Sequence, residues 1–252
     1  MAAEVAAQPY KRPPITEAVV GVQFGARITE DDLKKVSGRF KELYPVEQHV
    51  KTFGIQIINP PDGGRPDVRV EETPGYRRTS DDATEIILFS PESILFSQLS
   101  PYPGWELFFA RFERDWELCK REIGYRKINR LGVRYINRID IPNPDTSSVI
   151  RQSDYMNVYI RLPEILGPTL TYNAQAILQI EEIRAQLIIN TSLAPSPLLN
   201  HTSFLVDIDV GRTEEVPQRD ADIFTLLAQI RDKKNMVFES CITDRARELF
   251  SR

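Results

Sequence analysis

Three arginines recur at every fourth position of RLGVRYINRIDIP, residues 130–142. Side chains of an extended strand point alternately to opposite faces, so Arg130, Arg134 and Arg138 share one face. The apolar residues of the segment fall on the other face: Leu131, Val133, Tyr135, Ile139 and Ile141. Because guanidinium groups bind phosphate and carboxylate groups through paired hydrogen bonds, the row of arginines is a candidate anion-binding site.

A pair of carboxylates occurs in a second segment, FLVDIDV, residues 204–210. As a strand it places Asp207 and Asp209 side by side on one face, opposite the apolar face. Neighbouring carboxylates can hold Mg²⁺, and arginines facing them could bind the phosphates of a substrate. This combination is the chemistry of a metal-dependent phosphohydrolase.

Both patterns also have a structural explanation. The arginines could form salt bridges across strands with Asp207, Asp209 or Glu182, and the carboxylates could simply line the solvated face of an antiparallel sheet. The sequence favours these structural interpretations and leaves the ligand-binding ones open.

Other common catalytic chemistries lack their motifs. The chain has no GxxxxGK[ST] loop, no GxGxxG turn after a strand, and no HExxH or paired CxxC spacing. Its two histidines, His49 and His201, lie outside any nucleophile motif. We therefore expect no cofactor and a function that is not catalytic.

The charge balance limits the class of partner. The chain has 252 residues and a formal net charge of -4, which gives no overall attraction to nucleic acid or anionic lipid. The basic excess is local, with nine Lys or Arg against five Asp or Glu in residues 105–138. Nucleic acid is thus a conceivable partner only through the arginine-lined strand.

Hydrophobic periodicity predicts strands and a few amphipathic helices. Strand candidates are 15–24, 53–58, 85–89, 93–99, 155–162, 174–189 as one strand or a hairpin, and 203–210. The strongest helix begins at Trp105, carries an aromatic stripe typical of a core, and should end at Gly124. We expect an α+β fold of mainly antiparallel sheet, with amphipathic helices packed on one face and an arrangement compatible with two similar halves.

The domain organisation follows from the turn-rich segments. Residues 1–12 are expected to be a flexible arm, and IPNPDTSS, residues 141–148, is the best boundary between halves 13–143 and 144–252, which could also form one continuous domain. The start has no secretory pattern, and no apolar run is long enough to span a membrane. Two cysteines give no disulfide framework, so we expect a cytoplasmic protein. Because no apolar run is long enough, we also expect no membrane partner.

Three separate segments carry a resemblance to a known family: PPITEAVVGVQF near the start, RLGVRYINRIDIP in the middle and RDKKNMVFESCITDRARELF at the end. Together they resemble a sporadically distributed bacterial family of uncharacterised proteins that shares PPI-x-EAV, G-x-RY-x-NRI and F-E-x-x-IT-D-x-x-R signatures. Family members often have His before an Asp in the last segment, where this chain has Arg231 before Asp232. No role of that histidine carries over.

The resemblance implies a setting rather than a chemistry. Sporadic occurrence is typical of genes on mobile elements, such as antiphage defence systems. With the missing catalytic motifs, it leads to the hypothesis of a non-catalytic protein-interaction module with a protein partner in a bacterial accessory system.

Overall fold

The computed structural model describes residues 10–58, 67–143, 150–167 and 169–251. Within them the chain forms nine strands and four helices, which confirms the α+β prediction. The strands are β1 (Ile15–Phe24), β2 (Val46–Ile58), β3 (Asp67–Thr79), β4 (Glu85–Ser90), β5 (Ser93–Leu99), β6 (Ile128–Pro142), β7 (Asn173–Ile180), β8 (Ala185–Ala194) and β9 (His201–Arg212). The helices are α1 (Glu30–Arg39), α2 (Trp105–Ile123), α3 (Asp220–Cys241) and α4 (Asp244–Ser251).

Hydrogen bonding orders the strands as β2-β3-β4-β5-β1-β6-β9-β8-β7. Antiparallel pairing, as predicted, joins β2 to β3, β3 to β4 and β4 to β5. The same holds for β6 with β9, β9 with β8 and β8 with β7. Among the described strands, β2 and β7 are therefore the two edges of the sheet order.

Two compact units divide the chain. The larger unit comprises Met1–Val20, Ser100–Tyr102 and Arg130–Arg252, and the smaller comprises Gly21–Leu99 and Pro103–Asn129. This clustering joins segments distant in sequence, whereas the predicted boundary lies between residues 143 and 144. Residues 144–149 are outside the described ones, as are the arm residues 1–9, so those two assignments stay predictions.

The smaller unit builds its core on two helices that the sequence specifies locally. Thr29 caps α1, where its Oγ1 accepts a hydrogen bond of 3.2 Å from the Asp32 amide. Of the predicted α2 stripe, Phe108, Phe112, Trp116 and Cys119 are buried, whereas Trp105 and Phe109 are half-buried. Gly124 follows the last turn at φ 67, and its amide donates to the Lys120 carbonyl.

A buried polar cluster lies between the end of α1 and α2. The Tyr44 hydroxyl donates a hydrogen bond of 2.5 Å to Oδ2 of Asp115, which is fully buried. Arg114 Nε donates to the other carboxylate oxygen at 2.8 Å, and Arg111 Nη1 donates to the Tyr44 hydroxyl at 3.2 Å. Burial raises the pKa of Tyr44 above its ordinary value. The hydroxyl therefore stays a donor to Asp115 across the physiological pH range.

The larger unit packs α3 against β9. Buried residues of α3 form one stripe: Ile223, Leu226, Leu227 and Ile230. The facing residues of β9 are equally buried: Phe204, Val206, Ile208 and Val210. The apolar faces predicted for the segments 130–142 and 204–210, which are β6 and β9, thus form the core of this unit.

The strand predicted at 155–162 is wrong. Its first residues follow a 3-10 turn, Gln152–Asp154, and only an isolated bridge between Met156 and Ile242 resembles strand pairing there. The Asn157 side chain instead donates to the Ser240 and Ile242 carbonyls at 3.0 and 2.9 Å. Satisfying the carbonyls at the end of α3 holds this segment, which overrides its local strand propensity. The stretch 174–189 is the hairpin β7–β8, with Arg184 in the left-handed region at φ 49.

Replacing Tyr44 by Phe should destabilise the smaller unit. The change removes one donor from a fully buried carboxylate, so we expect the free energy of unfolding to fall by about 1–3 kcal/mol in urea titrations. Tyr125→Phe is the control, because that side chain is 81% exposed, and it should leave stability unchanged. Equal stability of both variants would show that the Tyr44 hydroxyl contributes nothing to Asp115.

Candidate functional site

The central strands of the larger unit separate an apolar face from a polar one. Tyr135 and Val133 of β6 are buried in the core, while the alternate positions carry Arg130, Arg134 and Arg138 on the opposite face, as predicted. In the antiparallel register Arg134 lies opposite Asp209 of β9. The two candidate segments are thus neighbours on one polar face.

Arg134 binds a carboxylate diagonally rather than directly across. Its Nε and Nη2 donate to the two oxygens of Asp207 at 2.8 and 2.7 Å. These hydrogen bonds raise the pKa of the Arg134 guanidinium above its ordinary value. Asn190 of β8 also donates to Asp207 at 3.2 Å, and Gln175 of β7 donates to Asn190 at 2.8 Å. The result is a chain of hydrogen bonds across four strands.

Arg130 reaches its partner over two glycines. Its Nη2 lies 2.8 Å from both oxygens of Asp209. Gly132 and Gly211 are directly opposed in the β6–β9 register. A Cβ on Gly211 would lie 2.5 Å from Nη2 of Arg130, and one on Gly132 would lie 3.0 Å from Nη1. Absence of a side chain at both positions lets the guanidinium lie flat across the two strands.

The third arginine is paired within its own strand. Arg138 Nε donates to both oxygens of Asp140 at 3.0 and 3.1 Å, and the Ser203 hydroxyl donates to Asp140 at 2.5 Å. The sequence signal for this pair was present, since residues two apart in a strand share a face. Glu182, the other partner considered, pairs with Lys233 at 3.2 Å.

These pairs determine what the polar face can do chemically. Each of the three arginines has a carboxylate within hydrogen-bond distance. An incoming anion would have to compete with that carboxylate, and a cation at Asp207 and Asp209 would have to displace two guanidinium groups. Among the described residues, no group of three or more His, Cys, Asp or Glu side chains is placed to hold a metal ion. Cross-strand pairing therefore accounts for Arg130 and Arg134, while ligand binding by this face stays a prediction.

A buried lysine on the opposite face has no counterpart in the sequence-based prediction. Lys234 of α3 is buried, and its Nζ lies 3.5 Å from the centre of the Tyr135 ring. The Tyr135 hydroxyl is 2.7 Å from that of Tyr102. Desolvation, with a smaller contribution from Arg231, lowers the pKa of Lys234 to about 7, and Glu239 acts in the opposite direction. In the sequence the residue sits in a polar RDKKN run, which is typical of a solvated helix face.

The outermost strand of the larger unit, in the order of the described strands, carries exposed apolar residues. Strand β7 ends the strand order, and its Ile177 and Leu178 side chains are 58% and 48% exposed. Beside it lies a groove of about 440 Å³ whose apolar lining includes Ile180, Leu187 and Met236. The sequence could not identify this surface, because which strand lies at an edge depends on the pairing order of the whole sheet.

Exposed apolar side chains are frequent in β7 and in the segment that precedes it in sequence. Of the fourteen large hydrophobic residues exposed in the described part of the chain, seven lie between Tyr159 and Leu178. Ile165 is 92% exposed and Leu170 is 88% exposed. Large apolar side chains that are exposed in such number within one segment are a candidate binding surface.

Comparisons with known proteins provide no family. No family model matches the chain, and no curated protein matches it. Among solved structures, DynU16 from the dynemicin biosynthetic locus is similar at 12% identity and a TM-score of 0.20, over 94% of this chain and 99% of that one. The RNA triphosphatase Pct1 of S. pombe, in complex with the Spt5 CTD, is similar at 9% identity and a TM-score of 0.13, over 96% and 87%. Similarities this low indicate neither a shared fold nor a shared function.

Replacing Lys234 by Met should remove a pH dependence of stability. The folded-state pKa of about 7 lies below the ordinary value of 10.5, so between these values the unfolded chain binds a proton that the folded chain does not. The free energy of unfolding should therefore rise with pH across this window in the wild type, and less steeply in the variant. Urea titrations at several pH values measure both slopes.

Lys233→Met is the matched control, since that neighbour pairs with Glu182 and lies outside the core. It should keep the wild-type slope, and Lys234→Met should be more stable than the wild type at pH 7. An unchanged slope in Lys234→Met would mean that the ammonium is stabilised as a cation by the Tyr135 ring.

Gly211→Ala should break the Arg130–Asp209 pair by displacing the guanidinium. We expect a loss of about 1–2 kcal/mol in the free energy of unfolding, equal to that of Arg130→Gln. The double variant should lose no more than either single one, because both act on the same interaction. Gly38→Ala serves as the control, because no atom lies within 4 Å of a Cβ there. Additive losses in the double variant would disprove this role of Gly211.

Proposed function

We propose that the chain is a non-catalytic protein-interaction module that binds its partner through the β7 edge and the adjacent exposed apolar residues. The observation that carries the proposal is the concentration of exposed apolar side chains between Tyr159 and Leu178. Contact of these apolar side chains with water is unfavourable in free energy. Burying them against another protein would remove that contact.

The edge strand adds a second reason. An edge strand presents unpaired backbone N–H and C=O groups, and many proteins bind partners by adding a strand there. Natural edge strands often carry a charged residue or a proline that prevents pairing with another strand. The eight residues of β7, NAQAILQI, include neither. On β7 itself, the exposed apolar side chains of Ile177 and Leu178 thus lie on a strand whose outer backbone groups are available for pairing.

The polar face supports the alternative functions less well. Arg130, Arg134 and Arg138 each have a carboxylate partner, and Asp207 and Asp209 are the partners of two of them. Anion binding and metal-dependent phosphate hydrolysis would each require these pairs to open. Neither function has an observation of its own in the described residues.

The cellular setting of the proposal rests on the resemblance to the sporadically distributed bacterial family. It supports a cytoplasmic protein with a protein partner in a bacterial accessory system such as antiphage defence. Among the described helices, none is both long and apolar enough to cross a bilayer.

Site-specific photo-crosslinking in the source cell tests the proposal. A photoreactive phenylalanine analogue at Ile165, within the apolar surface, should form a covalent adduct with one defined protein. The same analogue at Leu107, which is 65% exposed on α2 of the smaller unit, is the matched control and should not. Absence of adducts from Ile165, or the same adducts from both positions, would contradict the proposal.

A further inference from the structure

Among the described strands, β7 has a neighbour on one side only, and the register identifies which backbone groups lie along its other edge. The Leu193 amide donates to the Tyr172 carbonyl at 3.3 Å. These residues continue the β7–β8 register, so Tyr172 is in the phase that bonds to β8. Even-numbered residues of β7 share that phase. The N–H and C=O groups of Gln175, Ile177 and Gln179 therefore point away from β8, along the free edge.

We propose that two copies of the chain pair antiparallel through β7 and form a symmetric dimer centred on Ile177. The inference deepens the proposed function, on which it rests, by naming a second copy as an occupant of the same edge. A two-fold axis at Ile177 places that residue opposite its own copy and Gln175 opposite Gln179 of the other chain. All three belong to the outward phase, so each of these pairs can exchange backbone hydrogen bonds.

The side chains complement one another in this register on the α3 side of the sheet. Leu178 lies opposite the buried Leu187 of β8, so it is on the side of the groove. The dimer register places Leu178 opposite Ala176 of the second copy, and Ile180 opposite its Ala174. Each pair joins a large residue to a small one. The room left by the alanines admits the large side chains beside the groove, where Met236 is 57% exposed.

The other side of the sheet is also self-compatible. There Ile177 packs against its own copy, and Gln175 faces Gln179, whose amides can both donate and accept hydrogen bonds. At the ends of the strand, Asn173 lies opposite Glu181. No pair in this register joins like charges, so no like-charge contact within the strand pair opposes the dimer.

The composition of β7 is compatible with a second copy of the same strand. The sequence of β7 is uncharged, so nothing in it selects a partner of opposite charge. In the register centred on Ile177, large residues face small ones and amides face amides. Since one strand pair buries less surface than a typical stable interface of about 1,600 Å², we expect a dissociation constant on the order of micromolar.

Sedimentation equilibrium of the purified chain tests the dimer. The wild type should pass from the 28.9 kDa monomer to twice that mass as its concentration rises through the micromolar range. Ile177→Lys places two like charges at the symmetry axis and should weaken association at least tenfold. Leu107→Lys, a change at an exposed apolar residue of the smaller unit, should dimerise like the wild type. Circular dichroism melting establishes that both variants are folded.

Cysteine crosslinking tests the register. The native Cys119 and Cys241 are buried and free, so the wild type should form no intermolecular disulfide. Ile177→Cys should form a disulfide dimer in a glutathione buffer, because residues directly opposite lie about 5.5 Å apart between Cα atoms. Gln175→Cys and Gln179→Cys should each crosslink poorly alone but readily when mixed.

The outcomes separate the two proposals. A wild type that stays monomeric throughout this range, or an Ile177→Cys variant that crosslinks no faster than Gln175→Cys alone, would overturn the dimer. An Ile165 adduct to a different protein under those same circumstances would leave the proposed function standing. A dimer without any such adduct would support self-pairing and contradict the binding of another protein.

Discussion

Side-chain alternation along β6 and β9 is the constraint on which the larger unit depends. One face of these strands must be apolar, because α3 packs against it. This requirement places the central charged residues of both strands on the other face: Arg130, Arg134, Arg138, Asp140, Asp207 and Asp209. There the charges are close enough to pair, and Arg134 with Asp207 does so through two hydrogen bonds. The polar face is consequently neutralised within the chain.

The polar network of this face extends to strand β7, at the edge of the sheet. Hydrogen bonds run from Arg134 through Asp207 and Asn190 to Gln175, so the polar network ends on β7. Beyond β7 no further strand follows in the described sheet order. The outer backbone groups of this strand can therefore form hydrogen bonds with another molecule, and its exposed apolar side chains can pack against that molecule.

Charged groups have different environments on the two faces of β6 and β9. On the polar face, guanidinium groups remain partly exposed and meet carboxylates. On the core face, Lys234 places its ammonium over the Tyr135 ring, where desolvation outweighs the stabilising effect of Glu239 and lowers the pKa of the amine. Desolvation thus lowers the pKa of Lys234 on the core face, whereas hydrogen bonds to Asp207 raise the pKa of Arg134 on the polar face.

Local patterns made much of this fold predictable. The alternation of β6 and the aromatic stripe of α2 each depend on residues close in sequence, and both were correctly placed from the sequence. The partner of each arginine was harder to predict, since the diagonal pairing of Arg134 with Asp207 depends on the offset between β6 and β9. A local pattern also misled at 155–162, where Asn157 bonds to the end of α3 instead.

The position of β7 at the edge and the burial of Lys234 were beyond sequence reasoning for a different reason. A sheet edge is defined by the pairing order of all strands, and no short segment encodes that order. A lysine in a polar run looks solvated until the rotation of its helix on the sheet is known. Identifying a binding surface such as the β7 edge therefore requires the structure. Charged residues that could bind a ligand, such as those of β6 and β9, can be identified from the sequence.

Residue-resolved hydrogen exchange in β7 at several protein concentrations shows whether a second copy occupies this edge. The amides of Ala176 and Leu178, which bond to β8, should be protected at every concentration. The outward amides of Gln175, Ile177 and Gln179 should gain protection as the concentration rises through the micromolar range. Outward amides that exchange equally fast at all concentrations would contradict the account, because β7 would then be an edge that no second copy occupies.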